Sequence, residues 1–159
     1  MIKLYFRIEN RLTQDFMNFI FISPHFPYTY WEFCYRLKQN GVTVLGVADA
    51  PYDSLRNELK ESLTEYYRVD SFENYEEVYR AVAYFAFRYG HIDWIESNNE
   101  YWLEQDARLR TDFNITTGLQ TDRIRSIKEK SEMKKYYSKY KKSDYEDLTL
   151  IRWEEHTSE

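Results

Sequence analysis

A chain of 159 residues with a formal charge of -5 and 43% hydrophobic residues has room for one domain with a real core, and its acidity disfavours a nucleic-acid partner. Its one cysteine, Cys34, excludes an internal disulfide, and three scattered histidines (His25, His91, His156) suggest no metal centre. No apolar run nears the roughly 20 residues of a membrane span, and the charged opening MIKLYFRIEN is no secretory leader, so a cytoplasmic protein without membrane contact is expected.

In chain order, Ile2, Leu4, Phe6 and Ile8 alternate with polar residues as a strand would. A second methionine, Met17, opens the first strong element, so residues 1–16 are expected to be an N-terminal extension able to add a strand. Phe19-Ile20-Phe21-Ile22 is a continuous apolar run, the mark of a strand covered on both faces. After SPHFPYTYW, Thr29 and Glu32 have capping-box spacing for a helix through Phe33, Cys34 and Leu37 that stops at Gly41. Val42–Val47 reads as a second buried strand. Leu55, Leu59 and Leu63 mark the helix after it, and Tyr66–Val69 a short edge strand. Asn74 and Glu77 introduce a helix with Val78, Ala81, Val82, Phe85 and Tyr89 on one face, ended by Gly90. Ile92–Ile95 is the fourth strand. Beyond it, Ser97 with Glu100 forms a further capping box, and Glu104/Arg108 and Asp106/Arg110 are i,i+4 pairs.

Strands alternating with helices imply an α/β fold with a parallel sheet, and right-handed crossovers favour the spatial order 3-2-1-4. The chain reverses direction between strands 1 and 4, where the loops Ser23–Tyr30 and Glu96–Trp102 are expected to meet. Ligands bind at such a switch point. On spacing alone, Glu96, Asn98 and Asn99 either cap a helix or form part of a site. From Gly118 the composition changes. Residues 123–142 hold nine Lys/Arg against two Glu, with Tyr136, Tyr137 and Tyr140 interleaved. That segment reads as a solvated basic helix or as a surface for nucleic acid or membrane. Residues 143–159 form an acidic tail.

Several chemistries lack their residues. The loop after the first strand has no glycine for a dinucleotide, and no GxxxxGK[ST] phosphate loop occurs. Ser23 and His25 stand two apart, but no nucleophile elbow surrounds the serine and no acid is expected to orient the histidine. Such an edge has the shape of a ligand crevice without activating groups, and its site would be completed by another domain or chain.

FISPHFPYTYWEFCYRLKQNGVTVLGV, VYRAVAYFAFRYGHIDWIESNNEYWLEQDARLRTDFNITTG and IKEKSEMKKYY together resemble the amino-terminal region of bacterial ATP-grasp ligases, which join a carboxylate to an amine or thiol through an acyl phosphate. The resemblance covers roughly Met17 to Ser138. It implies a pre-ATP-grasp domain over residues 17–118: a Rossmann-like three-layer αβα unit with a four-stranded, mostly parallel sheet. A C-terminal helical extension, the basic segment 119–142, would lead towards the ATP-grasp domain. The resemblance also implies that Ser23, Pro24, His25 and Phe26, with Glu96, Asn98, Asn99 and Glu100, face the substrate pocket, and that Lys130 contacts ATP. Glu129 stands where many relatives have Asp. The full-length family uses ATP and Mg, whereas the pattern fails here after Tyr137. The expectations are therefore a chain that needs no cofactor of its own, is catalytically incomplete alone, and associates with an ATP-grasp domain, another protein chain or further copies of itself. The alternative is a non-catalytic module that binds a small molecule or a protein in the crevice between strands 1 and 4.

Overall fold

Parallel pairing fixes the frame. The first strand, β1 (Asn18–Ile22), pairs with β2 (Thr43–Ala48) in the register Ile20↔Leu45, and on its other edge with β4 (Trp94–Glu96) in the register Ile20↔Ile95. The third strand, β3 (Glu65–Arg68), pairs with β2, and the order is β3-β2-β1-β4 with every pair parallel. The expected order and sheet type are thus the observed ones. A computed structural model describes residues 17–128 and residue 134. The extension 1–16, Lys130, most of the basic segment and the tail 143–159 lie outside the described residues. By its contacts the chain divides into Met1–Ile124 and Arg125–Glu159, and the sheet with the helices that cover it belongs to the first unit.

Each strand feeds a helix: α1 (Trp31–Gln39), α2 (Asn57–Ser62), α3 (Tyr75–Tyr89) and α4 (Leu103–Asp112), followed by α5 (Thr121–Lys128). Side chains alternate across a strand, so β1 and β2 divide theirs between two cores. Ile20, Ile22, Leu45 and Val47 pack with Val78, Val82 and Phe85 of α3 and Leu109 of α4. Phe21 and Val44 pack with Cys34 of α1 and with Leu55, Leu59 and Leu63. Two helical layers therefore cover a buried sheet. Burying each large apolar side chain contributes roughly 1.5–3 kcal/mol. Gly46 permits the second core: a Cβ there would stand 2.8 Å from Leu63 Cδ1.

Several local expectations are corrected. No side chain caps α1. Tyr30 holds the cap position, and backbone turns from Tyr30 N to Pro27 O and from Glu32 N to Thr29 O replace the Thr29/Glu32 box. Asn74 does stand before α3, but Glu77 reaches back to the Asp70 and Ser71 amides and to Asn74 Nδ2 instead of closing a box. Leu59 alone of the three leucines lies within α2, although all three are buried. The fourth strand starts at Trp94, where β1 first offers it a partner in Phe19. These two rings also stack, 6.4 Å apart and 10° from parallel.

Candidate functional site

The carboxyl ends of β1, β2 and β4 gather the residues of interest. Where β1 ends, Ser23 turns into the left-handed region (φ 57) that usually favours glycine, anchored by its amide donating to Val47 O. This turn sends Pro24 and His25 over the end of β2. Both line a cavity of ≈ 190 Å³ with Tyr28, Ala50, Leu55 and Arg56. His25 Nε2 lies 3.4 Å from Asp49 Oδ1 at the end of β2, so an acid does stand beside this histidine. Burial lowers the imidazole pKa, against the smaller opposing pull of Asp49. Arg56 ties the loop to α2. Its guanidinium lies 4.1 Å over the Tyr28 ring and 4.8 Å over Trp31, donates to Tyr28 O, and pairs with Glu58 at 2.9 Å. Phe26 and Tyr28 project outward, 64% and 69% exposed.

On the β4 side, Glu96 ends the strand, and its Oε1 accepts from Asn98 N. Asn98 adopts φ 53, and its carbonyl accepts a 2.6 Å hydrogen bond from Tyr30 OH. The loops after β1 and β4 therefore do meet, through this bond. Asn99, not Ser97, caps the turn Glu100–Trp102, its Oδ1 accepting from Tyr101 N. Glu100 is exposed at the head of that turn. Ser97 fails as a helix cap because it is fully buried and its hydroxyl points down to Asp106 Oδ2 at 2.5 Å.

Beneath this loop lies a buried polar layer that the spacing did not reveal. Asp106 and Arg110, expected as an i,i+4 pair along the helix, are 0% and 2% exposed. Arg110 crosses from α4 to the strand end, where Nη1 donates to Ile95 O (2.8 Å) and meets Glu96 Oε2 (3.3 Å), while Nε donates to Leu119 O. Asp106 takes both the amide and the hydroxyl of Ser97, and its Oδ1 has no partner. Burial raises its pKa to about 7, with Glu96 adding to the rise and the Ser97 hydrogen bonds and Arg110 opposing it.

No family model matches the chain, and no curated protein matches it. Among solved structures it is similar to the crystal structure of an L-amino acid ligase from Bacillus licheniformis, at 15% identity and a TM-score of 0.58. That likeness shows the fold. It covers 80% of this chain and 31% of the ligase, so the chain spans about a third of that protein's length.

Of the eight expected pocket residues in the described region, the structure brings Pro24 and His25 to one cavity and Glu96, Asn98 and Asn99 to one hydrogen-bonded loop. Ser23 is buried as a hinge, and Phe26 and Glu100 face outward. Sequence reasoning misses Asp49, Arg56, Asp106 and Arg110. Asp49 becomes a neighbour of His25 only through the parallel pairing of β1 with β2. The one available signal for Arg110 is Gly118: its φ is +76, and a Cβ there would sit 3.1 Å from Arg110 Nη1. Among the described residues no three His, Cys, Asp or Glu gather to hold a metal ion, and no helix is long and apolar enough to cross a membrane.

Proposed function

We propose that this chain is a pre-ATP-grasp unit of an ATP-dependent carboxylate–amine or carboxylate–thiol ligase, which frames one wall of the substrate pocket and is catalytically incomplete alone. The supporting observation is the carboxyl edge of an all-parallel 3-2-1-4 sheet, where Tyr30 OH joins the first and last loops and a cavity opens beside them. The fold likeness to an L-amino acid ligase agrees with this reading.

In this reading the chain's own residues bind and orient. Pro24, Leu55 and Leu59 give the cavity an apolar wall, and His25 stands at its rim with Asp49. Glu96, clamped by Arg110 and by the Asn98 amide, presents a fixed carboxylate at the switch point. ATP and Mg would supply the activation of the carboxylate, and among the described residues no three His, Cys, Asp or Glu gather to hold the metal ion. The donors would come from an ATP-grasp domain, or from a partner chain that carries one.

Calorimetric titration with small carboxylates, amino acids and ATP, each with and without Mg, tests this. The ligase reading expects weak binding of a carboxylate or an amino compound that loses at least half its heat in a Tyr28→Ala, His25→Ala double variant. No binding by any of them would contradict it. Tight, saturable binding of one organic ligand indifferent to nucleotide would favour the alternative, a free-standing binding module.

A further inference from the structure

We propose that Asp106 and Ser97 form a proton-operated latch on the loop that joins β4 to α4. The inference concerns the loop itself and holds whatever ligand the sheet edge takes. Ser97 Oγ has one hydrogen and two acceptors in reach: Asp106 Oδ2 at 2.5 Å and Asn99 O at 3.4 Å. The protonation of Asp106 decides between them.

When Asp106 is ionised it can only accept. It then takes the Ser97 hydroxyl along with the Ser97 amide at 3.0 Å, and it keeps a charged Oδ1 buried with no partner. An unsatisfied buried oxygen of this kind is costly. When Asp106 is protonated, the carboxyl group donates to Ser97 Oγ, and the serine hydrogen turns to Asn99 O. The Asn99 amide already donates to the same Ser97 oxygen at 3.3 Å. Protonation therefore closes a reciprocal pair between Ser97 and Asn99 and removes the buried charge.

The charged groups that act on Asp106 oppose one another. Glu96, at the end of β4, disfavours ionisation, and Arg110, one turn further along α4, favours it. Burial outweighs both, so both forms are populated near neutral pH. Asn99 relays the choice. It caps the turn that carries Tyr101, whose hydroxyl holds Glu73 in the loop before α3, and its neighbour Asn98 holds Tyr30. Because the folded pKa lies above the unfolded value of about 3.9, the latch contributes fully below that value. Its contribution is lost as pH rises through about 7.

The test is an NMR titration of the whole chain from about pH 5 to about pH 9, following the Asp106 carboxyl carbon and the Ser97, Asn99 and Tyr101 amides. One shared midpoint near pH 7 is expected, with lower protection against hydrogen exchange in the loop on the alkaline side once the intrinsic base-catalysed rate is divided out. Asp106→Asn should abolish the transition, which also assigns it to this carboxyl group. Ser97→Ala should leave the carboxyl titrating while the Asn99 amide falls silent. A carboxyl midpoint in the ordinary range near 4, or an Asn99 amide that still titrates in Asp106→Asn, would overturn the latch. If that variant does not fold, Ser97→Ala decides: an Asn99 amide that still follows the carboxyl there contradicts the proposal.

Discussion

Gly118 and Arg110 show how much rests on single side chains at this edge. Gly118 holds φ +76 directly against the buried guanidinium, whereas Gly41 holds φ +78 where an added Cβ would meet nothing within 4 Å. Both positions resist a Cβ because the left-handed region costs an L-residue about 1–2 kcal/mol. Only at Gly118 must a neighbour also move, and Arg110 is held by three acceptors. Urea denaturation should therefore show Gly118→Ala more destabilising than Gly41→Ala by about 1 kcal/mol or more; equal losses would mean that Arg110 yields freely. Cys34 supplies a second residue-scale expectation. It is fully buried in the core under α1, and burial pushes its thiol up to about 12. A thiol reagent at neutral pH should label it only as fast as the protein opens, with the rate rising in step with added denaturant.

Among the elements, the weakest join is the one the candidate site depends on. The loops after β1 and β4 meet through Tyr30 OH and Asn98 O. Tyr30→Phe keeps the ring packed edge-on against Phe21 and Phe33 while deleting the bond. It should cost about 0.5–1.5 kcal/mol and speed hydrogen exchange in residues 98–101 more than in the strands; uniform acceleration would place the loss elsewhere. The strands are legible in the sequence because a parallel sheet covered on both faces writes itself as unbroken apolar runs such as Phe19–Ile22. Helix α3 is legible because its buried face repeats at helical spacing. The polar layer is not. Asp106 and Arg110 four apart look the same whether they face water or the end of a strand, and only the packing of α4 on β4 decides. Ser97 escapes for the same reason: a capping-box spacing cannot tell a serine at a helix mouth from one drawn under it.

At the scale of the whole molecule, exposed aromatic side chains stand at several places, Phe87 of α3 the most exposed at 93%, and four of them belong to the loops and helix at the carboxyl edge. Phe26, Tyr28 and Tyr101 are each more than 60% exposed, and Phe33 is 50% exposed on the neighbouring helix. Exposed apolar surface of this kind finds partners once it grows beyond a few hundred Å². In the proposed reading that partner is an ATP-grasp domain or, in its absence, a second copy of the chain. Light scattering over a concentration series should then show a rising mass, reversed by Phe26→Ser with Tyr28→Ser; a constant monomer mass would count against this surface. In the proposed reading the chain frames reactants and lacks the means to activate them. The most direct measurement is phosphate release by the purified 159-residue chain with ATP, Mg and a mixture of amino acids. The expected rate is no different from that of a protein-free blank, and steady, enzyme-dependent turnover of ATP would contradict the proposed reading.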